Sequence, residues 1–552
     1  MPRYSLGLDY GTSSLRALLV DLDRGREAAQ ATGTYGHGDE GVIVDGREPD
    51  LARQHPPDYL DALREVVPAV MRAADARPDD VVGIGVDTTG STPIPVDRQG
   101  CALAEHPEFR EHPAAQAWLW KDHTSSAEAA ELTEHARAVR PHFLARCGGT
   151  YSSEWFWSKI LRCLRSAPDV FAAAHSWVEL CDFVPGWLTG TRAPESLRRS
   201  VCAAGHKALY ADEWGGLPDA EFLGGLAPEL AVLRGRLDFR AATADQQAGA
   251  LAAVPAAALG LRPGIPVAVG AFDAHLGAVG AGIAAGDLVK VIGTSSCDMA
   301  VAPDTGSVPD ARGLSGVVRG SILPGMLGFE AGQSAVGDVF AATARLLQAG
   351  DHEGLSEAAR ALRAGESGLL ALDWHNGNRC VLVDPALSGA VLGLSLHTTP
   401  GELYRAMIEA TAFGARVIVE RMVELGVPVR ALIACGGIAS KSPLVMQIYA
   451  DVLGRPLRVA ASTQASALGA AIMGAVVGGA FADAASAQRA LVAAPTREYV
   501  PRAGERDVYD ELFRAYSVLH DAFGTRTGAG ELGGVMKQLL ALRGRVREGS
   551  GG

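Results

Sequence analysis

Two identical polar turns and two well-placed carboxylates are the residues of this 552-residue chain best suited to chemistry. Gly-Thr-Ser-Ser occurs at residues 11–14, in LDYGTSSLRALLVD, and again at 293–296, in KVIGTSSCDMAVA. Glycine lets backbone amides converge on one point, and the neighbouring hydroxyls add donors, so each turn can face an anion. One copy would read as ordinary turn composition. Two copies, each between apolar runs and half a chain apart, point to a polyphosphate gripped from both sides. The phosphate candidates are Thr12, Ser13 and Arg16 on the first turn and Gly293 and Thr294 on the second; for Arg16 the competing reading is a solvated surface arginine. Asp9 stands at the mouth of the first turn, where its charge would repel phosphates unless a cation lay between them; the plainer alternative is an aspartate capping its own turn. Asp273 ends the apolar run PVAVGAFD and opens a Gly/Ala-rich helix. Its carboxylate should lie in a cleft between domains, or serve as an N-cap, or both.

Other phosphate-binding patterns fail. CGGIASKS has Cys435 and Ser440 where a Walker-type loop requires glycines. GAVGAG (277–282) lacks the spacing and distal acid of a dinucleotide-binding fingerprint.

The elements that must position these residues are legible in outline. Residues 4–21 read as a β-hairpin, with Leu15, Ala17 and Leu19 alternating with Arg16, Leu18 and Val20. A helix follows Pro56-Pro57, with Tyr59, Leu60, Leu63, Val66, Val67 and Val70 at helical spacing and Pro68 expected to bend it. VVGIGVD (81–87) is a buried-strand run. Residues of about 105 to 240, rich in Trp, His and mixed charge, look like α-rich material inserted after the first sheet. The second hairpin spans 287–302, and VRALIACGGIASKSPLVMQIYADVLG (429–454) reads as strand, glycine turn, helix. Residues of about 342 to 366 read as surface helix and the tail after Arg543 as frayed. The chain thus divides into related halves, with the boundary near 284–286.

Composition sets further limits. Hydrophobic residues make up 48% and charged residues 20%, ordinary for a soluble globular protein. A net charge of −13 argues against a nucleic-acid or anionic-membrane surface. The eight cysteines form no C-x-x-C pair and read as buried reduced thiols. ALGAAIMGAVVGGAFA (467–482) is short of a membrane span and reads as a helix pressed tightly against a sheet. The start lacks a signal peptide's apolar stretch, so a cytoplasmic location is expected.

In order along the chain, GLDYGTSSLRALLVD, GAFDAHLGAVGAG, VIGTSSCD, GFEAGQSAVGD and CGGIASKSPLVMQIYADVLG resemble the successive motifs of the FGGY family of carbohydrate kinases. The resemblance runs from about residue 4 to about 480. It implies an α/β, two-domain actin/hexokinase/heat-shock-ATPase-like fold of duplicated ribonuclease H-like domains, with an α-rich insertion in the first half. The implied units are a sugar-binding domain carrying the catalytic base (1–284), a nucleotide-binding domain (285–500), and a helical extension with a flexible tail (501–552). GVDTTGSTPIPVD, LWKDHT, YSSEWFWSKI, ELCDFVPGWLTG and AGHKALY are similar to the branch acting on L-ribulose in L-arabinose catabolism. Other pentuloses and polyols (D-ribulose, ribitol, xylulose) are the near alternatives, and an actin- or heat-shock-type ATPase the distant one.

The resemblance also distributes roles. Asp273 becomes the base that accepts a sugar hydroxyl's proton, and Asp9 a holder of Mg²⁺ through water. Gly437, Ala439 and Ser440 flank adenosine of ATP, and Gly332 and Gln333 lie near it. A sugar pocket needs fixed hydroxyl partners and an apolar wall. Gly90, Ser91, Lys207 and Glu330 are chosen for it beside Asp273. Trp155, Phe156 and Trp157 read mostly as core packing, while Trp120, Lys121, Asp122 and His123 could border the pocket. Expected partners are the sugar and ATP, with no nucleic acid and no membrane; a homodimer is left open.

Overall fold

The computed structural model describes residues 2–348 and 352–525. The repeated hairpin heads a repeated sheet. In the first half, β1 (Tyr4–Tyr10) turns into β2 (Ser14–Asp21), which pairs antiparallel with β3 (Arg26–Thr34). On its other side β1 runs parallel to β4 (Val81–Thr88), and β4 to β5 (Pro266–Ala268). The order is β3-β2-β1-β4-β5. The second half repeats it with β6 (Asp287–Ile292), β7 (Ser296–Pro303), β8 (Met326–Gln333), β9 (Ala431–Cys435) and β10 (Leu457–Val459). Their order is β8-β7-β6-β9-β10, with the same parallel and antiparallel sense at each step.

The helices that bear on the site are α1 (Pro56–Ala73), α2 (Phe156–Ser166), α3 (Val201–Lys207), α4 (Asp273–Gly280), α5 (Gly337–Leu346), α6 (Pro400–Glu424) and α7 (Ala465–Val477). α1 runs through Pro68 without a break and buries the expected apolar stripe. The alternation in β2 serves two cores. Leu15, Ala17 and Leu19 join the cluster under α1, while Leu18 and Val20 join the one built on α4 and α7. Only Arg16 of that strand is exposed.

α7 belongs to the second half of the chain but lies on the first sheet. The approach is close enough to require glycine: a Cβ on Gly85 would sit 1.8 Å from the Ala470 carbonyl oxygen, and one on Gly7 would sit 1.9 Å from that of Ala467. α4 meets α7 just as closely, since a Cβ on Gly469 would be 1.8 Å from the Leu276 oxygen. The Gly/Ala-rich segment is thus a buried seam between the lobes. No helix among the described residues is long and apolar enough to cross a membrane.

The segment between β4 and β5 is helical, with its own core of Trp118, Trp155, Phe156, Trp157 and Trp177. Trp157 donates its indole N–H to the Ala208 carbonyl at 2.8 Å, and the Tyr151 hydroxyl donates to that of Lys207, tying down the end of α3. All eight cysteines are unpaired. The tail after Arg543, expected to fray, lies outside the described residues.

Candidate active site

Acidic groups gather where β1 and β4 end. Asp9 pairs in register with Asp87, and Asp87 with Ala271, two residues before Asp273. Parallel strands present ligand sites at their carboxyl ends. Asp9 is 3% exposed, and Arg16 donates to its Oδ2 at 3.3 Å. Asp87 is fully buried, and neither of its carboxyl oxygens accepts a hydrogen bond. Burial raises the pKa of both, opposed at Asp9 by the Arg16 guanidinium and reinforced at Asp87 by the charges of Asp9 and Asp273. Buried carboxylates so short of donors suit a cation. Asp9, with Asp87 beside it, is where Mg²⁺ fits, and magnesium would take its remaining ligands from water and phosphate.

Asp273 is the first residue of α4, and its Oδ1 accepts the Ala274 N–H at 2.6 Å. Burial raises its pKa to about 7, helped by the negative charge of Asp9 and opposed by that backbone bond and by Arg16. This is the range a base needs near neutral pH.

Three expected sugar residues stand around Phe272. A Cβ on Gly90 would lie 3.8 Å from its ring, the Lys207 ammonium is 5.8 Å from its centroid, and Asp273 follows it in sequence. Lys207 Nζ donates to Glu330 Oε1 at 2.7 Å across the two lobes and also stands 5.2 Å from the Trp155 ring. Burial works against the Glu330 charge, but the Lys207 ammonium prevails and holds its pKa well below the usual carboxylate range. Ser91 is buried beside Gly90, with its hydroxyl given to Glu179 Oε1 at 3.0 Å, so its side chain is not free for a ligand.

His206 and His275 also line Glu330, their ring nitrogens 3.3 Å and 3.7 Å from its Oε2. Burial lowers both imidazole pKa values, that of His275 to about 4, so both rings are neutral at pH 7. These three are the one set among the described residues spaced for a metal ion. Lys207 already pairs with the carboxylate, and His206 Nε2 meets Ser321 Oγ at 3.0 Å, so the set reads as a polar wall of the sugar pocket. His206 lies in AGHKALY and His275 in FDAHLG, but nothing in either spacing signals a buried neutral ring. Asp87, inside GVDTTG, was equally silent.

In the second lobe the same strand ends carry the other candidates. The turn after β6 is exposed at Gly293 and Thr294, whose carbonyls accept from the first amides of α5: Gly337 N to Gly293 O at 3.0 Å and Asp338 N to Thr294 O at 3.2 Å. β9 runs parallel to β6 and ends at Gly436, which has φ 97° and packs against the Ile292 carbonyl. The exposed Gly437 and Ser440 follow, the Ser440 hydroxyl donating to the Gly437 carbonyl at 3.1 Å. Ala439 is 3% exposed, so its side chain is core. Gly332 lies inside β8, where a Cβ would be 2.1 Å from the Ser296 oxygen; strand packing alone requires a glycine there. Gln333 is engaged with Lys290 at 3.0 Å, Asp373 at 2.8 Å and the Thr411 carbonyl of α6 at 2.8 Å. Its side chain braces the second hairpin from behind.

In the first hairpin, the Thr12 carbonyl accepts from Gln54 Nε2 at 2.6 Å and its hydroxyl from Trp120 Nε1 at 3.1 Å; Ser13 is exposed at the tip. Trp120 therefore borders the phosphate turn. Asp122 is fully buried and paired with Arg53, His123 meets Ser153 Oγ at 3.1 Å, and Lys121 is exposed. A separate cavity of about 480 Å³ lies between the lobes, lined by Arg198, Arg240 and Arg319 among others, and holds none of these site residues.

Two family descriptions match in succession: the N-terminal domain of the FGGY family of carbohydrate kinases over residues 4–280, and the C-terminal domain of that family over 288–477. The chain belongs to the FGGY family of carbohydrate kinases. A protein named Ribulokinase from Shouchella clausii is 43% identical, with 100% of both chains covered. One of the same name from Vibrio parahaemolyticus is 41% identical over 94% of this chain and 95% of the other. Among solved structures, a xylulose kinase from Rhodospirillum rubrum superposes with a TM-score of 0.79 at 27% identity, covering 94% of this chain and 99% of that one. This carbohydrate kinase therefore has the actin/hexokinase-like fold of its family, and ATP is its co-substrate.

Proposed function

We propose that this carbohydrate kinase transfers the γ-phosphoryl group of ATP to the terminal hydroxyl of L-ribulose, giving L-ribulose 5-phosphate for L-arabinose breakdown. The choice of sugar rests on similarity to relatives named Ribulokinase across nearly the whole chain. The mechanism rests on one observation above the others: Asp273 opens α4 two residues after Ala271, at the strand ends where Asp87 pairs with Asp9, and directly follows Phe272, which Gly90 and Lys207 approach.

In this reading Lys207 and Glu330 bind sugar hydroxyls with the Gly90–Ser91 backbone and orient the terminal carbon toward Asp273. Asp273 takes that hydroxyl's proton as its oxygen attacks phosphorus. Thr12, Ser13, Arg16, Gly293 and Thr294 hold the phosphates from the two lobes. Gly437, Ala439 and Ser440 flank the adenosine through backbone and hydroxyl, with Gly332 and Gln333 shaping the strand behind. Asp9 and Asp87 would hold Mg²⁺, which would supply charge neutralisation to the phosphates. Sugar work falls to residues 1–284 and nucleotide work to 285–500, with 501–552 as an extension. Closing the lobes over the sugar excludes water and keeps ATP from idle hydrolysis.

A coupled ADP-release assay across pentuloses and pentitols tests the reading. L-ribulose should give the highest kcat/KM. A higher value for D-ribulose, xylulose or ribitol would reassign the substrate, and sugar-independent ADP release would remove the sugar from the reaction.

A further inference from the structure

A buried lysine that no step of the reaction uses lies directly beneath the sugar side. Lys159 of α2 is fully buried, and its Nζ donates to three backbone carbonyls: Ser91 at 2.8 Å, Leu119 at 2.9 Å and Trp118 at 3.2 Å. Three acceptors use three N–H bonds, the complement of an ammonium and one more than a neutral amine has. The acceptors come from two loops. Ser91 belongs to the loop after β4, and Trp118 and Leu119 lead into Trp120, whose indole reaches Thr12.

The same loop is held from its other side by Glu179, at the end of the strand Ser176–Glu179. Its Oε1 accepts the Ser91 hydroxyl at 3.0 Å and its Oε2 the Thr92 N–H at 2.7 Å. Ser91 is thus gripped by its carbonyl and its hydroxyl at once. It has φ 37°, a left-handed value that a non-glycine residue keeps only when its surroundings impose it. Burial pushes the Lys159 pKa down and the Glu179 pKa up, and each charge restrains the shift of the other.

A buried ion pair is weak evidence for stability, because desolvation offsets most of the attraction. Hydrogen bonds aimed at one strained residue speak for placement instead. We propose that Lys159 and Glu179 are positioning residues for sugar recognition: together they clamp Ser91 so that the backbone of residues 90–91 faces the sugar at a fixed distance from Asp273. The first phosphate turn keeps three bonds that do not run through Lys159, besides the Trp120 indole on Thr12: Gly11 N to Ser14 O at 3.0 Å, Tyr35 N to Ser13 O at 3.2 Å and the Gln54 bond to Thr12. Loss of the clamp should therefore fall on the sugar and spare the nucleotide. The inference rests on the reading of the 90–91 loop as part of the sugar site.

The test titrates L-ribulose and ADP separately into the full-length enzyme and its variants. Lys159→Met keeps the length of the side chain and removes the three donors. It should weaken L-ribulose binding about ten- to a hundredfold, the size expected for a misplaced binding group, while ADP affinity stays within about twofold. Sugar KM should rise more than kcat falls. A folded Lys159→Met enzyme with wild-type sugar affinity, or one losing ADP and sugar affinity equally, overturns the proposal. Glu179→Gln is judged by the same criterion and decides the matter if Lys159→Met does not fold. Gly90→Leu, which places a side chain over Phe272, separates the two levels of the argument. If Gly90→Leu binds sugar normally, the loop is not a sugar site. If it loses sugar while Lys159→Met keeps it, only the clamp is wrong.

Discussion

In the proposed mechanism Asp273 carries the chemistry, and its surroundings disfavour its charge. Burial and the neighbouring Asp9 raise its pKa to about 7. Only the ionised carboxylate can accept the sugar proton, so kcat/KM should fall as pH drops below about 7. A pH–rate profile with its acidic limb near pH 4, where an ordinary aspartate titrates, would contradict this environment. Glu330 is the opposite case, an acid kept ionised by Lys207 at 2.7 Å. Glu330→Gln leaves that buried ammonium without its counter-charge and removes a strong hydroxyl acceptor. Sugar KM should rise about tenfold or more, with ATP KM little changed, as measured by steady-state kinetics.

At the scale of elements, the seam between α7 and the first sheet is the most demanding packing in the molecule. A methyl on Gly85 would stand 1.8 Å from the Ala470 oxygen, which is backbone and cannot swing aside. Gly85→Ala should cost about 3 kcal/mol or more, at or beyond the upper end of overpacking penalties, read as a lower denaturation midpoint. A loss under about 0.5 kcal/mol would mean that the helix can lift off the sheet. Much of this level was legible in the chain itself. Repeated Gly-Thr-Ser-Ser turns announced a repeated sheet, and a Gly/Ala run with no charges announced a helix pressed tightly against a sheet. Which sheet it lay against was not legible, because Gly7, Gly85 and Ala470 are far apart in sequence. The same limit hid the clamp. Lys159 sits in YSSEWFWSKI and Glu179 in ELCDFVPGWLTG as ordinary charges; only the fold aims both at Ser91. Gln333 and Gly332 resembled residues near the nucleotide, yet the side chain of one braces Lys290 and the other lets two strands meet. Asp273, Lys207 and Glu330 stood out from sequence because each is a charge in an otherwise mild apolar setting.

For the molecule as a whole, the lobes are joined beside the sugar pocket as well as at the α4–α7 seam. Arg379 Nη2 of the second lobe donates to Glu154 Oε1 of the first at 3.0 Å, both side chains largely buried. The charge of Glu154 raises the Arg379 pKa further, so the arginine stays charged throughout the working range. Such a pair stabilises the lobe arrangement in which it forms, which in the proposed mechanism is the closed one. Arg379→Ala should favour the open one: a larger radius of gyration by small-angle X-ray scattering in the presence of sugar, and more ADP released per sugar phosphorylated. Scattering curves and coupling ratios unchanged from wild type would leave the pair without a part in closure.

The central claim is that one carboxylate, set between a sugar site and a two-sided phosphate grip, removes the proton during transfer. The most direct measurement compares Asp273→Asn with the wild-type enzyme for L-ribulose-stimulated ADP release and, on the same preparations, for ADP affinity by calorimetry. The predicted result is a fall in kcat of about 10²- to 10⁴-fold with ADP affinity preserved. A variant that turns over L-ribulose at close to the wild-type rate would contradict the account.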